Sequence, residues 1–160
     1  MPPRCYPPEP DFRPGRTAER RVWELLREQL PSDAALLHSV PMIERATEHE
    51  ADLVIAWPGA GIAVVEVKGG HISRRRGQWY QSSGGETRPI KDPVVQAQDC
   101  KHVLHRLLLE HDSEAAAARS AHLVAFPFTY VDPGWSYAGC PATWCWPGTT
   151  WPPQPTGSAS

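Results

Sequence analysis

The sequence predicts an α/β domain in which a mixed central β-sheet is flanked by helices. Two observations support this fold class. The apolar residues follow helical and strand periodicities in turn, in the order helix, several strands, helix, strand. The chain has 160 residues, of which 41% are hydrophobic and 21% charged, so it holds enough apolar material for one domain with its own core.

The first predicted helix extends from Ala18 to Leu30, with Thr17 as its candidate N-cap and Val22 and Leu26 on one apolar face. Pro31 ends this helix. Strand candidates follow at residues 36–41, 51–57, 62–68, 72–80 with an internal turn, and 87–90. The turn at residues 58–61 makes residues 51–68 a β-hairpin.

A second helix is predicted from Pro93 to about His111, followed by a last buried strand at residues 122–127. Asp92 is the expected N-cap, because it precedes a proline in the first turn of the helix. Trp79, in the preceding strand region, is expected to belong to the core.

Prolines are concentrated at both ends of the chain. Of 18 in total, six lie in residues 1–14 and five in residues 141–155. Proline lacks an amide donor, so we expect neither end to join a regular element. The expected organisation is therefore a lead-in at residues 1–15, one domain at residues 16–140 and an irregular tail at residues 141–160.

The tail contains tryptophans without periodicity, which are rare on an exposed surface. If the tail is back-translated with GC-rich codons and then read in the frame one base earlier, the new frame encodes a sequence that resembles the start of an amphipathic helix. The tail is therefore hypothesised to be out of frame, or the chain to be a truncated form of a longer protein.

Bulk composition excludes several classes of protein. The net charge of −2 does not demand a nucleic-acid partner, which would instead require a local basic patch. The four cysteines have no disulfide-framework spacing, and no apolar run resembles a signal peptide or is long enough to cross a membrane. A cytoplasmic protein with reduced thiols and no membrane partner is the expectation.

The segment VVEVKGG at residues 64–70 places two ionisable groups inside an apolar strand. Side chains alternate along a strand, so Glu66 and Lys68 point to one face. The hairpin brings Asp52 close to Glu66, and two carboxylates at a sheet edge suit Mg²⁺ or Mn²⁺. The same pattern is more often a solvated salt bridge, so the residues by themselves leave both interpretations open.

The wider pattern resembles the NERD, or nuclease-related, domain, a branch of the PD-(D/E)xK nuclease superfamily. The resemblance covers roughly residues 16–130. It depends on Glu19 in the first helix, EADLVI at 50–55, GIAVVEVKGGHI at 61–72, Trp79 and IKDPVVQ at 90–96. It implies a restriction-endonuclease-like fold, with a metal-dependent phosphodiesterase site at the edge of the sheet.

The resemblance assigns metal binding to Asp52, Glu66, the carbonyl of Val67 and Glu19, with Mg²⁺ or Mn²⁺ as cofactor. Considered alone, Glu19 is more often a solvated helix charge.

Lys68 matches the catalytic lysine of the family, and Gln96 matches the glutamine of the P-x-x-Q helix, which would orient water or phosphate. Asp92 replaces the asparagine that often precedes the helix proline, which keeps the cap and adds negative charge. The arginines Arg74, Arg75 and Arg76 are candidates for contact with the DNA backbone, or else form a solvated turn.

The function that the resemblance implies is metal-dependent hydrolysis of DNA phosphodiester bonds, in DNA processing or repair. Two alternatives remain open. One is a non-catalytic module that binds nucleic acid or acts as an adaptor. The other is a fragment of a longer protein in which the domain is joined to a helicase or kinase-like partner.

Overall fold

The computed structural model describes residues 1–132, 134–137, 140–141 and 145–146. Its two α-helices are α1 (Thr17–Gln29) and α2 (Pro93–Glu110), and a 3-10 helix spans Glu114–Ala117. The strands within the described residues are β1 (Arg4–Tyr6), β2 (Ala35–Glu44), β3 (Thr47–Trp57), β4 (Gly61–Val67), β5 (His71–Arg75), β6 (Gln78–Ser83), β7 (Glu86–Ile90), β8 (Ser120–Ala125), β9 (Ser136–Tyr137), β10 (Cys140–Pro141) and β11 (Cys145–Trp146).

The main sheet has the strand order β1-β2-β3-β4-β8-β11. Strands β2, β3 and β4 form an antiparallel meander, whereas β1 pairs with β2, β8 with β4 and β11 with β8 in parallel. A separate antiparallel sheet has the order β5-β6-β7 and lies in the connection between β4 and α2. The predicted mixed α/β sheet is confirmed.

The two helices cover opposite faces of the main sheet. Helix α1 packs through Val22 and Leu26 against a cluster that includes Val65 of β4. Helix α2 packs through Val103 against a cluster that includes Val64. Because neighbouring residues of a strand point to opposite faces, both faces of β4 are buried.

The three-stranded sheet adds a further core cluster. Trp79, only 3% exposed, packs there with Ile72, Val94 and Phe126. The expectation that Trp79 is a core residue is confirmed. None of the helices in the described part of the chain has the length and apolar character needed to cross a membrane.

The predicted cap of α2 is confirmed, and that of α1 is wrong. Asp92 accepts hydrogen bonds from the backbone N–H groups of Val94 and Val95. Thr17 is itself the first residue of α1, and its N-cap is Arg16, which makes no side-chain capping bond. The Arg16 guanidinium is instead bonded to Glu19, one turn into the helix.

The expectation that neither end joins a regular element is also wrong. Residues Arg4–Tyr6 lie between prolines and form β1, whose first N–H donates to the carbonyl of Ala34 at 2.9 Å. A strand at the sheet edge bonds on one side only, so flanking prolines do not prevent it. Residues 145–146 form β11 at the other edge. The hypothesis of an out-of-frame tail falls mostly on residues outside the described ones.

Candidate functional site

The register between β3 and β4 brings Asp52 opposite Glu66. The last paired residues at this end of the hairpin are Leu53 and Val65, and the next pair in the same register is Asp52 and Glu66. The Oδ2 atom of Asp52 accepts a hydrogen bond from the N–H of Val67 at 2.8 Å. The sequence-based expectation that the hairpin brings these two acids together agrees with this register.

Glu66 and Lys68 lie on the same side of the strand end and form an ion pair. The Nζ atom of Lys68 is 2.6 Å from Oε1 of Glu66. Glu66 is only 6% exposed, so this carboxylate is buried rather than part of a solvated face. The neighbouring strand β8 holds this end of β4 in place, because the N–H of Lys68 donates to the carbonyl of Ala125 at 3.0 Å.

The electrostatics of the pair are most visible at Asp52. Burial raises the pKa of Asp52 to about 7, and the negative charge of Glu66 adds to this rise. The N–H of Val67 and the ammonium of Lys68 act in the opposite direction but do not cancel it. Near neutral pH this acid is therefore poised between its protonated and ionised forms, a state that a bound cation would resolve.

Helix α2 carries a buried amide oxygen and a buried thiol one turn apart. The Oε1 atom of Gln96 is buried and has no hydrogen-bond partner among the described residues. Cys100, one turn later, has a pKa raised to about 11 by burial, with further contributions from Glu66 and Asp52. The thiol therefore remains neutral at physiological pH. Sequence reasoning missed Cys100, although its spacing of four from Gln96 puts both on one face of the helix.

Glu19 belongs to a neighbouring polar network. Its Oε2 atom is 3.0 Å from Nη1 of Arg16 and 3.0 Å from Nε2 of His38. Glu50 joins this network through Arg16 and Ser39. In the part of the chain that the structure describes, no three His, Cys, Asp or Glu side chains gather in an arrangement suited to a metal ion. A role for Glu19 as a metal ligand stays a prediction.

The donor set of the acid pair fits a hard cation. Asp52 and Glu66 supply two carboxylates, and the carbonyl of Val67 follows directly in the chain. All of these donors are oxygens, which are the ligands that Mg²⁺ and Mn²⁺ prefer. Burial and the neighbouring Glu66 raise the pKa of Asp52, and a bound cation would favour its ionised form.

The arginines at positions 74–76 lie where β5 turns into β6, and all three are exposed. The guanidinium of Arg74 lies 5.9 Å from the ring centre of Trp79. Strand β5 begins at His71, directly after Gly69 and Gly70. The turn between β5 and β6 is therefore about 13 Å along β5 from these glycines. Contact of these arginines with DNA stays a prediction.

The segment after Lys68 is held by side chains that no local sequence pattern singles out. Gln81 donates from Nε2 to the carbonyl of Gly69 at 2.7 Å. Thr129 donates to the carbonyl of Gly70 at 3.2 Å and accepts from the N–H of Ile72 at 2.8 Å. Such bonds join distant parts of the chain and leave no local signal in the sequence.

A family of known proteins matches most of the chain. The nuclease-related domain family, NERD, matches residues 14–127, well over half of the chain. No curated protein and no solved structure matches the chain. The matched residues include both helices, the β3–β4 hairpin with its acid pair, and β8. The chain therefore belongs to the nuclease-related domain family.

Proposed function

We propose that this chain is a metal-dependent nuclease that hydrolyses phosphodiester bonds in DNA. The observation that best supports this function is the buried acid pair at the end of the β3–β4 hairpin. Asp52 faces Glu66, and Lys68 is 2.6 Å from Glu66. Burying two acids side by side is costly, and a purely structural salt bridge needs only one of them.

Each residue of the pair has a distinct part in the proposed reaction. Asp52, Glu66 and the carbonyl of Val67 would hold Mg²⁺ or Mn²⁺. When bound, such a cation lowers the pKa of a coordinated water and offsets negative charge on the phosphate.

The ammonium of Lys68 orients the attacking water and stabilises the charge that develops on the phosphate oxygens. The amide of Gln96 is suited to fix that water from the helix side.

A cleavage assay on single-stranded and double-stranded DNA tests this proposal. The wild-type chain should cut DNA with Mg²⁺ or Mn²⁺ and should be inactive in chelator. Lys68→Ala and Glu66→Gln should each reduce the rate by roughly 100-fold or more, because the first removes the ammonium that stabilises charge on the phosphate and the second removes a charged metal ligand. Lys91→Ala is the matched control, since Lys91 is an exposed lysine outside the site. Cleavage that persists in chelator, or that survives both substitutions, would sink the proposal.

One observation favours a second candidate, a module that binds DNA without cutting it. The arginines at positions 74–76 are exposed where β5 turns into β6. Arginine side chains in such a turn suit phosphate contacts that need no metal. Salt-sensitive binding without cleavage in any metal would select this function over hydrolysis.

A further inference from the structure

A polar groove of about 650 Å³ opens beside the end of β4. One wall is the start of α1, and the other is the three-stranded sheet. The floor is the Gly69–Gly70 segment, which directly follows Lys68 in the chain. The groove is therefore lined by the residue that immediately follows the proposed catalytic lysine. Its charged and aromatic lining consists of His71, Glu86, Arg88 and Phe128.

The two glycines keep the floor of this groove close to both walls. Gly70 has a φ of +68°, and a Cβ at this position would lie 2.5 Å from the carbonyl oxygen of Ser82. A Cβ on Gly69 would lie 3.1 Å from the Cβ of Ala18. A side chain on either residue would disturb the walls, so the floor is bare backbone that a nucleic-acid strand can approach closely.

Hydrogen bonds hold this floor in one position. Arg88 donates from Nη2 to Oε1 of Gln81 at 2.9 Å, and Gln81 donates to the carbonyl of Gly69 at 2.7 Å. The chain of contacts therefore extends from β7 across β6 to the residue after Lys68. A ligand entering the groove meets a preorganised surface, which reduces the entropy lost on binding.

Phe128 lies at the groove and is 50% exposed, whereas Phe126 two residues earlier is 2% exposed and belongs to the core. The two phenylalanines differ because residues 126–129 form a turn, in which the N–H of Thr129 donates to the carbonyl of Phe126 at 3.1 Å. The hydroxyl of Thr129 is hydrogen-bonded to the backbone of Gly70 and Ile72, and these bonds hold the turn beside the glycine floor. An aromatic ring is thus held against a polar groove, with half of its surface open to solvent.

We propose that this groove binds an unpaired DNA strand, with a base stacked on Phe128 and the backbone passing over the glycines to Lys68. This inference rests on the proposed nuclease function and names its substrate class: single-stranded DNA or frayed ends. An aromatic side chain stacks only on a base whose face is open, and the bases of an intact duplex cover one another. The groove has one arginine and one histidine against one glutamate, so it suits a few phosphates rather than a long duplex backbone.

Binding of a short fluorescein-labelled oligothymidylate to the full chain, followed by fluorescence anisotropy, tests the groove. Ca²⁺ in the buffer offsets the charge of the acids, and a gel confirms that the oligonucleotide stays intact. Phe128→Ala should weaken the affinity about tenfold, since stacking on one base is lost. Phe128→Trp should retain it. Tyr130→Ala is the matched control, because Tyr130 is 78% exposed but does not line the groove.

A blunt duplex provides the specificity control, because Phe128→Ala should leave its binding unchanged. Three results would overturn the proposal: no binding of the single strand by the wild type, no effect of Phe128→Ala, or an equal loss for duplex and single strand. The readout is binding, so its failure is distinct from a failure of the nuclease function. Phe128-dependent binding without cleavage would overturn hydrolysis alone, and cleavage with Phe128-independent binding would overturn the groove alone.

Discussion

Asp52 is the residue at which the electrostatic cost of the site is concentrated. Its carboxylate faces the buried Glu66, and its compensation within the site is one N–H bond from Val67 and the nearby ammonium of Lys68. Burial and the charge of Glu66 together raise the pKa of Asp52 to about 7. A fold that keeps two acids in this position loses stability at neutral pH unless a cation is bound.

The substitution Asp52→Asn should therefore change how stability depends on pH in chelator. The folded-state pKa of about 7 exceeds the ordinary value of 3.8. Between these values the folded state keeps a proton that the unfolded chain has lost, so the free energy of unfolding falls as pH rises through this window. The fall is at most about 4 kcal/mol, from roughly three pKa units at about 1.4 kcal/mol each.

Urea unfolding across this pH range measures the difference. Asp52→Asn should show a flatter profile than the wild type, and it should be the more stable protein above about pH 7. Parallel profiles for the two proteins would show that Asp52 does not have the raised pKa on which this prediction depends.

At the level of single residues, the local sequence predicts the acid pair but not its surroundings. Alternation along β4 puts Glu66 and Lys68 on one face, and a hairpin turn fixes their distance from Asp52. The contacts of Glu19 do not follow from such local patterns. Its partners are Arg16, which precedes α1, and His38, which lies on β2. Periodicity within one element does not determine how side chains of different elements are placed.

Strand β4 is the element that organises the site. It pairs antiparallel with β3 and parallel with β8, and its end is held by the bond between the N–H of Lys68 and the carbonyl of Ala125. The chain then turns through Gly69 and Gly70 into β5. This turn determines both the position of Lys68 and the floor of the groove.

Comparing Gly70→Ala with Gly84→Ala tests the role of that turn. Both glycines have positive φ, +68° and +59°, so both substitutions should cost about 1 kcal/mol of backbone strain. Only Gly70 has a neighbour in the way, since its Cβ would lie 2.5 Å from the carbonyl oxygen of Ser82, whereas Gly84 has nothing within 4 Å. Gly70→Ala should thus lose at least about 1 kcal/mol more in urea unfolding. Equal losses would mean that the close approach at Gly70 does not constrain the turn.

Elements with strong local signals agree with the sequence-based predictions, whereas local patterns do not predict which strands pair when they lie far apart in the chain. Both helices and the β3–β4 hairpin follow from periodicity and turn residues. Strand β1 escaped prediction because only three residues separate its flanking prolines, and its pairing partner is β2, beyond α1. The parallel pairing of β4 with β8 also cannot be predicted from local sequence, since a second sheet and a helix lie between the two strands in the chain.

For the molecule as a whole, the main sheet separates two helical layers, and the acid pair lies at the end of a hairpin within it. The net charge of −2 gives no general attraction for DNA. Under the proposed function, affinity for DNA would come from local features: a cation at the acid pair, the glycine-floored groove with Phe128, and the exposed arginines at 74–76. Under that function, the domain is expected to depend on metal for cutting, whereas the groove and the arginines can contact phosphates without it.

Titration with Mn²⁺ followed by electron paramagnetic resonance tests the central claim most directly, since it detects the cation without requiring DNA. The wild-type chain should bind Mn²⁺, and both Asp52→Asn and Glu66→Gln should abolish that binding because each removes a charged ligand. Glu48→Gln is the matched control, as Glu48 is an exposed acid on the same strand as Asp52. Mn²⁺ binding that is absent in the wild type, or unchanged in Asp52→Asn and Glu66→Gln, would contradict the account.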